Sequence, residues 1–407
     1  ERNSSLQIMR QNEHFLARLN LNDLPLAWLQ LKRQPVRYLV AVTGIGFAAL
    51  LMYMQLGFQS GLLKSATKFY NALETDLILI SPATVNSGNY EQFPQSQLYQ
   101  ALGVQGVKEA IPLYISNINA QKLDGVQPTS LRMIGYDPDK KILNVPAINR
   151  QSDKLKTPGF VLFDTLGLTI KTGPVGSKFK TSGPFDMISS DFEKTFRIKG
   201  LFSLGSTFVA DSNLIGSDAT ALQLASRQIN LGEISLGLIR VEHPSIIPNV
   251  QQHLKKLYGD EIQVLTKPQL IKKERNYWNN VSSFGVIFGF GTIMGLLVGG
   301  VVVYQVLFTD VSDHLKEYAT LKAMGFSNQF ILIVVIQEAI LLAVSAFIPA
   351  TVLSATLYYV LSNVSGIELQ MTADKSLLVG ILTISVCTIA SAIAVRKLKD
   401  ADPASVF

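Results

Sequence analysis

Four stretches of this chain carry almost no charge. No Asp, Glu, Lys or Arg occurs from Tyr38 to Leu63, from Asn276 to Thr309 or from Ser376 to Val395, and between Phe330 and Ile367 the one exception is Glu338. Each stretch supplies the roughly 20 residues that a helix needs to cross ~30 Å of hydrocarbon. A helix buried in a soluble protein rarely runs so far without a charge. The chain is therefore expected to cross a membrane four times. Bulk composition only hints at this: 16% of residues are charged, against the roughly 25% usual in globular proteins. The same balance excludes disorder, a coiled coil and a nucleic-acid binder built on a basic field.

The flanks give the orientation. Lys32, Arg33 and Arg37 precede the first span, and Arg396, Lys397 and Lys399 follow the last. By the positive-inside rule both termini are cytoplasmic, as an even number of spans requires. Lys64, Lys68 and the run Lys272, Lys273, Glu274, Arg275 lie on the other side and oppose this assignment without reversing it. The expected order is a cytoplasmic segment 1–37 with an amphipathic entry helix, span one over 38–57 and an outer domain over 58–280. Span two follows at 281–307, then a cytoplasmic loop at 308–329 and span three at 330–360. A short outer loop at 361–375, span four at 376–395 and a cytoplasmic tail at 396–407 complete the chain. The chain opens on Glu1 rather than Met, and 37 residues precede the first span, which is not expected to be a cleaved leader.

Charge returns between spans one and two. Residues 58–280 hold 24 Lys/Arg and 19 Asp/Glu, in a domain large enough to own a core. The single cysteine, Cys387, falls in the last span, so neither a disulfide nor a cysteine metal site is expected. Strands are expected at 76–81, 108–118, 130–135, 160–163, 237–241 and 261–265, with helices at 96–102 and 248–258 and Gly259 as a cap. The Gly/Lys/Ser/Phe-rich stretch 167–207 shows no helical period. It is expected to belong to a β-rich insert over about 160–235, between two small α/β lobes. Residues 267–280 carry no Gly or Pro after Pro268, which suggests a helical stalk continuing into span two, matched by 58–73 after span one.

Catalytic signatures are missing. His14, His243, His253 and His314 stand in no metal-binding spacing, and there is no nucleophile elbow, Walker A loop or dinucleotide fingerprint. No cofactor is expected, and any ATP hydrolysis belongs to another chain. Glu338, beside Gln337 and eight residues into span three, is either a near-interface residue bonding between helices or a coupling or proton-relay group. With no chain of further ionisable groups in the spans, an ion-coupled path is not expected. Gly291, Gly295 and Gly299 repeat at i, i+4, i+8, a face that admits close helix packing within the chain or between two copies. Pro349 is expected to kink or divide span three. In the cytoplasmic loop, Leu315, Tyr318, Leu321 and Met324 recur at helical spacing and Gly325 is a natural stop.

That loop carries a resemblance. Glu317–Phe330, EYATLKAMGFSNQF, resembles the E-x-x-x-L-(K/R)-A-x-G segment of the FtsX/MacB-type ABC transporter permeases. LAWLQLKRQPVRYLV before span one and the closing KLKDADPASVF resemble that family's entry helix and tail. Within it the chain looks most like the cyanobacterial DevC-type permease. The resemblance implies a type VII, MacB-like fold: four transmembrane helices and a large extracytoplasmic α/β domain in the inner membrane, with that domain in the periplasm. It implies a non-catalytic subunit working as a homodimer with a DevA-like ABC ATPase, a DevB-like membrane fusion protein and, indirectly, a TolC-like outer-membrane channel. Asp313, Glu317, Leu321, Lys322, Ala323, Met324 and Gly325 would form the coupling helix seated on the ATPase. An amphiphile or glycolipid would then be exported by mechanical transmission, without a tunnel through the spans. FtsX-like relatives that activate a cell-wall hydrolase, and lipoprotein-releasing permeases, share the plan.

Overall fold

The computed structural model describes residues 35–121, 128–190, 194–205, 209–225, 228–313, 328–365 and 367–399. It falls into two compact units. One comprises the described parts of 1–58, 287–359 and 370–407, and the other 59–286 with 360–369.

In the first unit, chain order gives α1 (Pro35–Ala72), whose N-terminal part lies here. Its partners are three more long helices, Ser283–Asp313, Asn328–Ser365 and Ala373–Lys399, and all four are long and apolar enough to cross a membrane. Small residues let them approach: Ala41, Ala339, Ala343, Ala346, Ala390 and Ala394 share a buried cluster with Ile45, Val303, Leu307 and Leu342. In lipid there is no hydrophobic gain between helices, so close packing and interhelical hydrogen bonds must supply the association. Tyr53 Oη and Thr351 Oγ1 lie 3.0 Å apart, and the Tyr358 hydroxyl donates to the Tyr53 carbonyl. Pro349 does not divide its helix, which runs without interruption for 38 residues.

The second unit begins with the C-terminal end of α1 and continues through β1 (Leu77–Ile80), β2 (Phe93–Pro94), α2 (Gln95–Gln100), β3 (Val107–Gln121) and β4 (Pro128–Tyr136). Next come α3 (Pro146–Asn149), β5 (Phe160–Asp164), α4 (Thr169–Thr172), α5 (Val175–Ser182), β6 (Phe185–Ile188) and β7 (Thr195–Phe202). Then follow β8 (Ser212–Ser217), α6 (Asp218–Leu224), β9 (Glu233–Ile234), β10 (Leu236–Val241), α7 (Ile247–Tyr258), β11 (Gln263–Thr266) and α8 (Lys267–Asn276). After α8 the chain enters the spans as α9 (Ser283–Asp313), α10 (Asn328–Ser365) and α11 (Ala373–Lys399).

Nine strands form one mixed sheet in the order β11-β1-β10-β3-β4-β8-β5-β7-β6. The 15-residue β3 joins its two halves. Residues Val107–Leu113 pair with β10 and Tyr114–Gln121 pair with β4. At the far end Ser189, just past β6, bridges back to Ala120 of β3, so the second half curls toward closure. Strand alternation sorts the side chains to two faces. Leu77, Leu79, Ile239 and Leu214 enter one core cluster, beneath α6 and α7. Ile78, Ile80, Leu238 and Ile215 enter another, with Phe69, Tyr70 and Leu73 of α1 and Leu270 of α8. Each fully buried Leu or Ile contributes about 1.5–3 kcal/mol.

Two expectations change here. The stretch 167–182 contains α4 and α5. Both are bracketed by Gly167, Gly173, Pro174 and Gly183, and are too short for a helical period to register. The strands at 160–217 are not a separate insert either, because β8 pairs in parallel with β4 and extends the common sheet. Residues 267–280 are also not one helix with span two. After α8 comes a single π turn, Tyr277–Val281, and Ser282 is extended (φ −74°, ψ 148°) before α9 starts. The Ser282 amide donates to the Tyr277 carbonyl at 2.8 Å and its hydroxyl to the Trp278 carbonyl at 2.9 Å. Those bonds end one helix and leave Ser282 poised to begin the next.

Candidate functional site

Of the residues that the sequence marks for coupling, Glu317, Leu321, Lys322, Ala323, Met324 and Gly325 lie outside the described residues. Asp313 is the last residue of α9 and forms an ion pair with Arg37 of α1. The glycine face of α9 turns onto α1 within the chain. A Cβ at Gly291 would stand 2.5 Å from the Gln55 side chain, one at Gly295 3.2 Å from Met52, and one at Gly299 2.9 Å from Ala48. Glu338 is buried beside Gln337 on α10. Among the described residues no group of His, Cys, Asp or Glu is arranged to hold a metal ion.

The outer unit carries two polar constellations that the sequence reading passed over. The first holds α1 to the short loop after α10. Lys64 and Lys68, one helical turn apart, both pair with Glu368, at 2.6 and 2.8 Å. Hydrogen bonds from Lys64 and Lys68 pull the Glu368 carboxyl down to about 2. Gly61 faces the same loop, where a Cβ would meet Ile367 and Leu369 at 2.8 and 2.9 Å. On its other side Lys68 reaches Gly205, whose φ of +103° favours a residue without a side chain. The loop holding Gly205 is itself anchored: Asp164 accepts from the amides of Leu204 and Gly205 at 3.0 and 2.8 Å, and from Asn213 Nδ2 at 2.9 Å. Burial raises the Asp164 carboxyl above its usual range against the pull of those bonds.

The second constellation is built around two buried charges. Thr266 and Gln269 form a capping box that opens α8. One and a half turns on, Glu274 is 2% exposed. It accepts from the Ser87 amide at 3.1 and 3.0 Å, from the Ser87 hydroxyl at 2.5 Å and from the Trp278 indole at 2.7 Å. The Ser87 carbonyl in turn accepts from Arg132 Nη2. Arg132, on β4, is 1% exposed, with its guanidinium 5.8 Å from the ring centroids of both Phe69 and Tyr90. The Tyr90 hydroxyl lies 2.7 Å from that of Tyr70, and burial pushes the Tyr90 phenol up to about 12. Ser87 thus joins two buried charges of opposite sign, one on α8 and one on the sheet. Across the strands Arg132 is flanked by Asn117 on β3 and Asn213 on β8. Trp278 packs against Leu62 and Ala66 of α1, so one cluster touches both helices that connect to the spans.

A sequence signal for this cluster existed. In SLRMIGY, Arg132 shares the parity of Ile134 and Tyr136, which marks it as a core-facing charge. Glu274, in the run KKER, offered no such mark.

Residues 289–403 match the family model for the FtsX-like permease C-terminal region. No curated protein matches the chain. Among solved structures, the periplasmic region of MacB from Actinobacillus actinomycetemcomitans is 12% identical, over 50% of this chain and 94% of that one, with a TM-score of 0.32. The extracellular domain of the noncanonic ABC-type transporter YknZ from Gram-positive bacteria is 14% identical over 47% and 99%, with a TM-score of 0.30. A domain of a permease protein from Porphyromonas gingivalis is 13% identical over 47% and 86%, with a TM-score of 0.28. The four long apolar helices and the large α/β unit between the first two are those of a multi-pass membrane protein with an extracytoplasmic domain.

Proposed function

From the match of residues 289–403 to the FtsX-like permease C-terminal region, we propose that the chain is an FtsX/MacB-like permease and the permease subunit of an ATP-driven exporter. A separate ABC ATPase would dock on the cytoplasmic loop through Asp313, Glu317, Leu321, Lys322, Ala323, Met324 and Gly325. Its movement would pass along α1 and α8–α9 to the outer domain. That domain would push an amphiphile or glycolipid into a membrane fusion protein and a TolC-like channel, as in a DevC-type assembly of two permease copies.

The observation that carries this reading is the match over residues 289–403. It spans the loop whose sequence, EYATLKAMGF, has the apolar spacing of a docking helix. The spans add support, because Glu338 is the one charged side chain in their apolar cores, too little for a polar path, which favours motion over conduction. Tagged chain, co-expressed with an ABC ATPase encoded beside it and solubilised, should retain that ATPase. Leu321→Asp places a charge at the centre of the docking face and should cut recovery at least tenfold while membrane insertion is unchanged. Undiminished recovery overturns the docking assignment. Capture of a cell-wall hydrolase by the outer domain, with no fusion protein, would favour an FtsX-like signal transmitter instead.

A further inference from the structure

Where β10 and β3 separate, the outer domain leaves one rung of its sheet open. Pairing between these strands ends at Leu236 and Leu113. Beyond that point β3 runs on against β4, which occupies its other edge. In an antiparallel ladder alternate residues turn both backbone groups to the same edge. Ile115 and Asn119 show which residues turn away from β4. The Ile115 amide donates to Ser235 Oγ at 2.9 Å, and its carbonyl accepts from the same hydroxyl at 3.1 Å. The Asn119 carbonyl accepts from the Ser190 amide at 2.7 Å. Asn117 lies midway and shares their parity, so its N–H and C=O face the same edge. No strand or bridge among the described residues pairs with it there. Its side-chain oxygen is also buried and unmatched among the described residues, and a buried acceptor in that position calls for a partner.

The open rung lies in a cavity of about 370 Å³. Ile115, Ser116 and Asn117 line one side, and Ser87, Tyr90, Gln92 and Gln228 contribute to the rest, with no charged residue in the lining. The walls are tied in place. Ser87 is held by Glu274 and Arg132, and the Tyr90 hydroxyl lies 2.7 Å from that of Tyr70. Gln92 Nε2 donates to the Gln228 carbonyl, Gln92 Oε1 accepts from the Asn230 amide at 3.0 Å, and the Ser116 hydroxyl donates to Gln228 Oε1. Walls fixed in this way need little ordering when a ligand enters.

We propose that this cavity binds the main chain of a short, uncharged peptide, one residue of which completes the open rung at Asn117. The complement of an N–H and a C=O on one residue is the same pair on another, as in the two-bond pairs of an antiparallel ladder. Ser235 and Ser190 occupy the edge on either side, so the ligand enters as a turn or a blocked end and does not lie along β3 as an added strand. The neutral lining offers no ion pair to a charged ligand and recognises by amides and hydroxyls instead. A sugar could meet the same walls, but it lacks the paired main-chain groups. The inference does not rest on the exporter reading, because binding is read on this chain alone.

The test uses the full chain in a detergent without a sugar head group and with no ATPase present. Calorimetric titration with acetyl-Ala-Ala-Ala-N-methylamide should show binding that saturates by about 1 mM. The same peptide methylated on all three alanine nitrogens cannot donate to the Asn117 carbonyl in any register, and should bind about tenfold more weakly. Asn117→Pro removes the N–H of the open edge, where proline is tolerated because that group stands outside the β4 ladder, and should weaken the unmethylated peptide about tenfold as well. Absence of saturable binding overturns the proposal. So does equal binding of the methylated peptide, or undiminished binding by a folded Asn117→Pro chain. Methyl β-glucoside binding as tightly as the tripeptide would assign the cavity to hydroxyl-rich groups and overturn it too. Should Asn117→Pro fail to fold, the two peptides and the glucoside decide the question on the unaltered chain.

Discussion

The outer domain meets its two connecting helices by opposite physical means. At α1 the fastening is on the surface: Lys64, Lys68 and Glu368 have side chains 46%, 26% and 40% exposed. The helix there runs unbroken through 38 residues. At α8 the fastening is internal, with Glu274 and Arg132 both out of solvent, and the helix is interrupted just beyond it. Exposed ion pairs are worth little and are screened by salt, so a covalently continuous helix needs only a light strap. An interrupted one must have its register set by something else. A buried, fully directional cluster does that, because misplacing it by one residue would leave two charges unsolvated.

The contrast breaks most decisively at Arg132. Arg132→Met leaves Glu274 in the core without its counter-charge, and should cost about 3–5 kcal/mol. Urea unfolding followed through Trp278 fluorescence in a Trp28→Phe background would measure this, since the chain has only two tryptophans. Replacing both partners, Arg132→Met with Glu274→Met, removes the stranded charge and should recover a substantial part of the loss. A double variant no more stable than Arg132→Met alone would mean that the two groups do not compensate each other.

What could be read in advance follows from the range of the forces involved. The spans needed only the absence of charge, a property of each segment by itself. Strands such as β1 and β10 were legible as short apolar runs, since Leu77–Ile80 and Leu236–Val241 pack on both faces. The joining of β8 to β4 was not, because parallel partners so far apart in sequence are chosen by the closed sheet and not by local pattern. The break at Ser282 escaped for the same reason. Nothing in YWNNVSS forbids a helix, and the interruption depends on where Glu274 and the α1 cluster hold Trp278. For the loop after α9 the reverse holds: its resemblance was legible in sequence, and its residues from Glu317 to Gly325 lie outside the described part of the chain.

A smaller cut isolates one bond of the internal fastening. Trp278→Phe keeps an aromatic ring against Leu62 and Ala66 but removes the indole donor to Glu274. A hydrogen bond to a buried charge is worth about 1.5–3 kcal/mol. Amide hydrogen exchange across Lys267–Asn276 should accelerate accordingly, with exchange in β1 and β10 unchanged. Equal acceleration throughout the sheet would mean that the bond supports the whole core and not α8 in particular.

The surface strap should give the smallest response, and one whose sign with pH is fixed. Glu368→Gln should cost only about 0.2–1 kcal/mol, and less in high salt, because all three side chains remain partly in water. Bonds from Lys64 and Lys68 hold the folded carboxyl at about 2, below the ~4.3 of an unfolded glutamate. A depressed folded value means that the stabilisation is fully present above the unfolded value and is lost as pH falls toward the folded one. From pH 7 to 5 the difference between wild type and Glu368→Gln should therefore stay constant. It should shrink from about pH 4 and vanish near pH 2, measured as protection of the α1 amides around Lys64 and Lys68. A difference that already collapses between pH 7 and 5 would mean that the strap's charge is set by some group other than Glu368, and the surface fastening would then have to be assigned to the packing of Ile367 and Leu369 against Gly61.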